Sequence, residues 1–228
     1  MIGSGANNVY LMWAVIQHVA YDGRGGIDSA LRRAGLDAVD RRPFAGEALP
    51  TVSRVSGLIV LGAPGGSADA DAPHHLVRER ELIADAAERG IPVLGVCFGA
   101  QLVSVALGGG IVTDGPLEVG MGTATLTSDG LADPVLGFGR ETVTVLHWHR
   151  HAYTLPPGAT RLASSRKHIE QAFRFGDNVY GLQFHVEINA PLADAVADQM
   201  PPGSLPATAV AEAAWWGSGV LDRFLALA

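Results

Sequence analysis

The chain has 228 residues and a formal net charge of −7, with 48 % hydrophobic and 17 % charged residues. This acidic balance disfavours a nucleic-acid partner, and no apolar run approaches the about 20 residues that a membrane span needs. The one cysteine excludes an internal disulfide and suits a reducing, cytoplasmic location. We expect one α/β domain over residues 9–228, with a flexible leader at 1–8 and a C-terminal helical segment at 190–228.

The first half of the chain alternates buried strands with helices. Apolar runs predict strands at Val9–His18, Ala38–Arg42, Gly57–Leu61 and Val93–Val96. Helical periodicity predicts helices at Ile27–Ala34 and Pro73–Arg89, the second with its Arg and Glu residues on the face opposite the apolar one. Glycine-rich segments lie at 21–26 and 62–66, and the exposed amides of the second suit a negative oxygen. Such alternation predicts a parallel sheet with helices on both faces.

The second half has the alternating pattern of antiparallel or mixed strands that extend the same sheet. These strands are predicted at Met121–Thr127, Glu141–His147, Thr160–Ser164, Glu170–Phe175 and Val179–Phe184. A hairpin turn at 176–178 joins the last two. The remaining chain is mostly helical with a break at Pro201-Pro202-Gly203, and the pair Trp215-Trp216 is expected to pack on the core rather than to stack on a ligand.

Cys97 lies in a predicted strand-to-helix turn, flanked by Gly95 and Gly99 in a G-x-C-x-G pattern. This is the nucleophile-elbow pattern with sulfur in place of the serine oxygen. The helix N-terminus favours a thiolate, and the N–H of Phe98 is directed where an oxyanion would form. The alternative is a small buried apolar cysteine, which the flanking glycines disfavour.

A thiol nucleophile needs a base, and His185 is the histidine best placed to supply it. It ends a predicted strand and therefore lies at the same sheet edge as Cys97, while Glu187 can accept a hydrogen bond from its second ring nitrogen. The alternative is an edge histidine beside a solvated carboxylate.

A second histidine cluster, H-W-H-R-H at 147–151, follows another strand. This segment is interpreted either as a polar loop or as part of a zinc site. No further Cys, Asp or Glu lies at helical spacing from it, so we expect no metal. His74 and His75 open a helix and are expected at the surface.

Taken together, these motifs resemble the triad-type class I glutamine amidotransferases over about Val9 to Glu187. The segments that carry the resemblance are, in order, G-L-I-V-L-G-A-P-G-G, I-P-V-L-G-V-C-F-G-A-Q, L-E-V-G, H-W-H-R-H-A-Y-T-L-P-P-G-A and Y-G-L-Q-F-H-V-E. The chain looks closest to free-standing members similar to the amidotransferase domain of GMP synthase. The resemblance implies a flavodoxin-like fold and no cofactor.

The resemblance also implies a role for each site residue. Cys97 is the nucleophile, His185 the base and Glu187 the residue that orients it. The amides of Phe98 and Ala63 form the oxyanion hole. Contacts to the glutamyl substrate are implied for Gly62, Gln101, His149 and His151.

Three positions depart from the family pattern. Ala63 replaces a glycine, which reduces the freedom of the loop if a positive φ is needed there. Val186 replaces the proline of F-H-P-E, which leaves that turn less fixed. His151 replaces an acidic residue suited to the α-ammonium of the substrate, which makes a γ-glutamyl amide or peptide an alternative to free glutamine.

Three functions follow from these observations. The first is a glutaminase subunit that delivers ammonia to a separate acceptor enzyme. The second is a stand-alone γ-glutamyl hydrolase or transferase that uses the same three residues. The third is a catalytically silent binding module, which the three departures favour and the intact Cys97, His185 and Glu187 disfavour.

Overall fold

The computed structural model describes residues 11–20, 23–63 and 73–228. The leader predicted at 1–8 and parts of the two glycine-rich segments lie outside these residues. The strands are β1 (Met12–Ile16), β2 (Ala38–Arg41), β3 (Val55–Val60), β4 (Val93–Val96), β5 (Ile111–Val112), β6 (Glu118–Leu126), β7 (Thr142–His149), β8 (Ala152–Tyr153), β9 (Thr160–Ser164), β10 (Ala172–Phe175) and β11 (Val179–Leu182). The α-helices are α1 (Gly26–Ala34), α2 (His74–Glu88), α3 (Phe98–Ala106), α4 (Ser128–Ala132), α5 (Ala190–Val196) and α6 (Ala207–Leu225).

Nine strands form one mixed sheet in the order β2-β1-β3-β4-β11-β10-β9-β6-β7. The run from β2 to β11 is parallel, and the run from β11 to β7 is antiparallel. The strands β4 and β11 are parallel neighbours with Val96 paired to Leu182. Their carboxyl ends therefore lie side by side, and the residues that follow each strand meet at one edge.

Apolar side chains fill both faces of the sheet. On one face, the core includes Trp13 and Leu94 together with Trp216 and Leu221 of α6. On the other face, Val93 packs with residues of α2 and α3 such as Ile83 and Leu102. Burial on both faces explains why inner parallel strands such as β1 and β4 have near-continuous apolar sequences.

The predicted fold class is confirmed: an α/β protein with a large mixed sheet between helices. The strands Val93–Val96 and Thr160–Ser164 form with the predicted bounds. The C-terminal break separates α5 from α6, as the proline-rich segment predicted. Among the described residues, no helix is both long enough and apolar enough to cross a bilayer.

Two predicted side-chain environments are wrong. Trp216 is 3 % exposed and packs in the core as expected, but its neighbour Trp215 is 66 % exposed. Adjacent helical residues point about 100° apart, so one tryptophan of the pair faces solvent. On α2, Glu79 is fully buried rather than on a solvated face, because it pairs with His18 of the segment that follows β1.

Candidate active site

Cys97 joins β4 to α3 and has φ 54° and ψ −112°. It is the one non-glycine residue with a positive φ in the described part of the chain. A Cβ on Gly95 would lie 2.5 Å from the carbonyl oxygen of Gly99, and a Cβ on Gly99 would overlap the carbonyl oxygen of Val60. The glycines are therefore required by close backbone approach, and the turn holds Cys97 in a strained conformation at the sheet edge, where its side chain is buried.

The cysteine is held by backbone contacts from the strands β11 and β7. Its N–H donates to the carbonyl oxygen of Leu182 at 2.8 Å. Its Sγ lies 3.7 Å from the carbonyl oxygen of Trp148, to which the thiol can donate. Because Phe98 is the first residue of α3, its N–H has no acceptor within the helix and is available beside the sulfur.

His185 and Glu187 form a buried pair beyond the end of β11. Nδ1 of His185 lies 2.7 Å from Oε1 of Glu187 and donates to it. The other ring nitrogen, Nε2, is buried and has no hydrogen-bond partner among the described residues. Burial lowers the pKa of His185, but the nearby charges of Glu187 and Cys97 outweigh it, and the pKa is raised well above its usual range. The ring therefore favours the imidazolium form next to the sulfur.

The turn from His185 to Glu187 is held on three sides without the proline of the family pattern. The N–H of His185 donates to the carbonyl oxygen of Leu146 at 2.9 Å, and the carbonyl oxygen of Glu187 accepts from the N–H of Gly26 at 2.7 Å. Between these two hydrogen bonds, Gly217 of α6 packs closely on the turn, because a Cβ on Gly217 would overlap the carbonyl oxygen of Val186. Val186 itself is buried in the core. Packing therefore fixes the turn where a proline ring otherwise restricts φ.

Gly62 follows β3 and lies beside the side chains of Cys97 and His185. A Cβ there would be 3.4 Å from Cβ of Cys97 and 3.4 Å from Cε1 of His185. Ala63, the predicted second oxyanion donor, comes next and packs partly against the core. The rest of this loop, residues 64–66, lies outside the described residues.

Gln101 connects α3 to the segment that follows β7. Its Nε2 donates to the carbonyl oxygen of His151 at 3.2 Å and to Oε1 of Gln183 at 3.3 Å. Nδ1 of His149 donates to the same carbonyl oxygen at 3.1 Å. The ring of His149 is directed at Glu118, with Nε2 3.1 Å from Oε2. Gln101 and His149 thus position the backbone at His151, and their predicted contacts to substrate remain predictions.

A family model for class I glutamine amidotransferases matches residues 27–195. The chain belongs to this family. The amidotransferase-like protein YfeJ of Salmonella typhimurium is 30 % identical over 185 residues, which cover 79 % of this chain and 77 % of YfeJ. A glutamine amidotransferase structure from Methylobacillus flagellatus superposes with a TM-score of 0.86 at 25 % identity, covering 96 % of this chain and 95 % of that one.

A GMP synthase of Symbiobacterium thermophilum is also similar to this class I amidotransferase. The two are 34 % identical over 137 residues, which cover 59 % of this chain and 25 % of the synthase. The chain therefore matches only about a quarter of that relative's length.

The amidotransferase contains two buried acidic residues near the site that sequence reasoning did not single out. Glu79 lies 2.8 Å from Nε2 of His18, whose Nδ1 lies 3.0 Å from the carbonyl oxygen of Leu61, next to Gly62. The ring of His18 also packs edge-on against Phe98. This pair supports the loop and the helix start that flank Cys97. Its sequence signal is weak, because Glu79 follows the ordinary charged pattern of α2.

The second acidic residue is Glu118 in the L-E-V-G motif. Ser165 Oγ donates to its Oε1 at 2.8 Å and Gln171 Nε2 donates to its Oε2 at 2.6 Å. Burial raises the pKa of Glu118, but the adjacent rings of His149 and His147 and the Ser165 hydroxyl outweigh it and lower the pKa to about 2. The sequence signal for Glu118 is its place in the L-E-V-G motif. The residues that contact it come from three other segments of the chain.

Proposed function

We propose that this class I amidotransferase hydrolyses the side-chain amide of glutamine through a thioester on Cys97 and delivers the ammonia to a separate acceptor enzyme. The observation that carries the proposal is the strained turn that presents Cys97 beside the buried pair of His185 and Glu187, 2.7 Å apart. A buried, oriented imidazole next to a thiol is the arrangement that nucleophilic acyl transfer requires.

In the proposed first half-reaction, Sγ of Cys97 attacks the amide carbon as a thiolate. The developing oxyanion accepts hydrogen bonds from the N–H groups of Phe98 and Ala63. The imidazolium of His185 gives its Nε2 proton to the leaving nitrogen, the C–N bond breaks, and ammonia leaves. Glu187 holds Nδ1–H so that Nε2 faces the reacting atoms.

In the second half-reaction, water hydrolyses the glutamyl thioester. His185 now accepts a proton from the water, whose oxygen attacks the thioester carbon. The C–S bond breaks, which releases glutamate and restores the Cys97 thiolate with an imidazolium beside it. The same two side chains therefore serve both half-reactions, and no cofactor is required. Because a free thiol is essential, a reducing compartment such as the cytoplasm suits this chemistry.

The acceptor is proposed to be a synthetase on another chain. A relative that this chain matches in part is GMP synthase, which by its name hydrolyses glutamine and makes GMP. The matched residues make up a quarter of that enzyme, which supports a division of labour between an amidotransferase part and a synthetase part. We expect the glutaminase rate of this chain to rise when its synthetase is added.

A γ-glutamyl amide or peptide is the second candidate substrate. The observation that favours it is His151, which stands where an acidic residue would suit the α-ammonium of free glutamine. Release of product from glutamine and from a γ-glutamyl anilide, compared in the wild type and in His151→Asp, tests this alternative. Faster product release from glutamine and slower release from the anilide in His151→Asp would favour the γ-glutamyl substrate for the natural chain.

The proposal is tested by labelling with a glutamine-derived diazoketone, followed by intact-protein mass spectrometry. We expect one glutamyl-ketone adduct on the wild type and none on Cys97→Ala. A thiol that reacts with a small alkylating agent but not with the diazoketone would move the function to the γ-glutamyl alternative. A thiol inert to both reagents would support a catalytically silent binding module.

A further inference from the structure

Three metal-ligating side chains meet on the strand pair β6 and β7. In the antiparallel register, Glu118 is paired directly with His149. His147 lies two residues before His149 and so projects from the same face of β7. One nitrogen of each histidine and one carboxylate oxygen lie within 4.8 Å of one another, and all three residues are buried.

Backbone carbonyls fix the tautomer of both histidines. Nε2 of His147 lies 3.3 Å from the carbonyl oxygen of Thr123, and Nδ1 of His149 lies 3.1 Å from that of His151. A carbonyl oxygen only accepts, so these nitrogens carry the protons. In the neutral rings, Nδ1 of His147 and Nε2 of His149 are left with lone pairs.

Both lone pairs face the same carboxylate oxygen. Nε2 of His149 lies 3.1 Å and Nδ1 of His147 3.6 Å from Oε2 of Glu118. Both nitrogens are buried and make no hydrogen bond with the described residues. Lone pairs that converge on a carboxylate repel one another unless a cation lies between them.

We propose that Glu118, His147 and His149 bind one divalent transition-metal ion of the zinc class. Zinc bound tetrahedrally, with metal–ligand distances of about 2.0–2.2 Å, has ligand atoms roughly 3.3 Å apart. The two nitrogen–oxygen distances at Glu118, 3.1 and 3.6 Å, bracket that value. The carbonyls that hold the distal N–H of each histidine are the outer contacts that metal-bound histidines ordinarily have.

An open pocket leads to this cluster. A cavity of about 420 Å³ is lined by Glu118, His147 and Ser165. It gives the ion an entry path and leaves space for water as a fourth ligand. The sequence predicted no metal because no further Cys, Asp or Glu lies at helical spacing from these histidines. The strand register supplies the carboxylate from Glu118, 29 residues before His147 by the sequence numbering.

The proposed ion lies across β7 from the nucleophile. Between the two histidine ligands, Trp148 places its carbonyl oxygen 3.7 Å from Sγ of Cys97. The carbonyl oxygen of His151, which His149 contacts, also accepts from Gln101 on the nucleophile's helix. A metal at Glu118 would therefore fix the backbone segment that contacts Cys97, without contacting substrate.

The test measures metal binding in the Cys97→Ala chain, so that the thiol cannot capture the ion. After removal of metal with a chelator, we expect one equivalent of Zn²⁺ per chain by elemental analysis and a rise in Tm with added Zn²⁺. Two amide variants, His147→Gln and His149→Asn, keep an N–H for the backbone hydrogen bond and remove the imidazole nitrogen that is proposed to bind the metal. Loss of a residue that only hydrogen-bonds a metal ligand lowers metal affinity about 10–100-fold. Loss of a ligand itself should therefore lower the Zn²⁺ affinity of each variant by at least ~100-fold.

The matched control is His74→Gln/His75→Gln, which removes two histidines from the start of α2 and should bind Zn²⁺ like the parent. Absence of stoichiometric binding in the parent, or equal binding by parent and both amide variants, would overturn the proposal. Because a variant can fail to fold, the Co²⁺-loaded parent provides an independent readout. Strong visible absorption indicates the expected tetrahedral site, and weak octahedral-type bands would contradict it.

Discussion

Gly95→Ala is the substitution that tests the elbow most directly. The added Cβ would lie 2.5 Å from the carbonyl oxygen of Gly99 and 2.7 Å from the amide nitrogen of Ala100, both backbone atoms of the first turn of α3. Ordinary contact begins near 3.4 Å, so α3 must move by about 0.7–0.9 Å away from β4. Neither obstacle is a flexible side chain that can rotate away.

The displaced turn carries both Cys97 and the N–H of Phe98. A misplacement of about 1 Å at a reacting group costs on the order of 100-fold in rate, so we expect a 10–100-fold loss in the rate of acylation. Forcing an extra carbon into a packed site also costs about 1–3 kcal/mol of folding stability. For a chain of this length, that corresponds to a fall in Tm of roughly 2–12 °C.

The assay is the rate of Cys97 labelling by the diazoketone, read by mass spectrometry and paired with thermal unfolding. Gly23→Ala is the matched control, because a Cβ there meets nothing within 4 Å and the backbone φ is ordinary. We expect the control to label and melt like the wild type. A Gly95→Ala chain that labels at the wild-type rate would show that the close contact with α3 does not position the nucleophile.

Three further predictions concern the same site and its supporting core. Cys97→Ala should abolish turnover while Tm changes by no more than a few degrees; residual turnover would remove the nucleophile assignment. Glu187→Gln removes the carboxylate charge that raises the pKa of His185, so the alkaline limb of the pH–rate profile should move to lower pH, and an unmoved limb would contradict that role. Trp216→Ala should cost about 3–5 kcal/mol in urea unfolding, whereas the exposed Trp215→Ala should change stability by about 0.5 kcal/mol or less; equal losses would contradict the assigned burial.

The parallel half of the sheet was predictable because its signals are local. A strand buried on both faces needs a run of apolar residues, and β4 is such a run, ended by the glycines that the elbow requires. The same glycines and the lone cysteine identified the candidate nucleophile. His185 followed because the end of a neighbouring strand shares an edge with it, and the structure does bring Glu187 to its ring.

The bounds of the antiparallel strands were predicted less well, because the residues at which such a strand begins and ends depend on the strand it pairs with. The strand β6 begins at Glu118 rather than at Met121, since its glycines and acidic residue resemble a loop until the whole segment pairs with β7. β7 likewise continues to His149 instead of ending at His147. These extensions create the pairing of Glu118 with His149, and no property of either segment alone indicates that register.

The strand β7 links the two proposed sites because its successive residues point to opposite faces. His147 and His149 face Glu118, whereas the ring of Trp148, between them, lies near that of His185. The carbonyl oxygen of Leu146 also holds the N–H of His185. Any ligand that changes the position of the two histidines must therefore shift the backbone that supports both Cys97 and its base. We therefore predict that Zn²⁺ changes the diazoketone labelling rate of the chain with Cys97 intact, and that His149→Asn removes this dependence. A labelling rate insensitive to Zn²⁺, in a chain shown to bind it, would mean that β7 is too rigid to transmit the change.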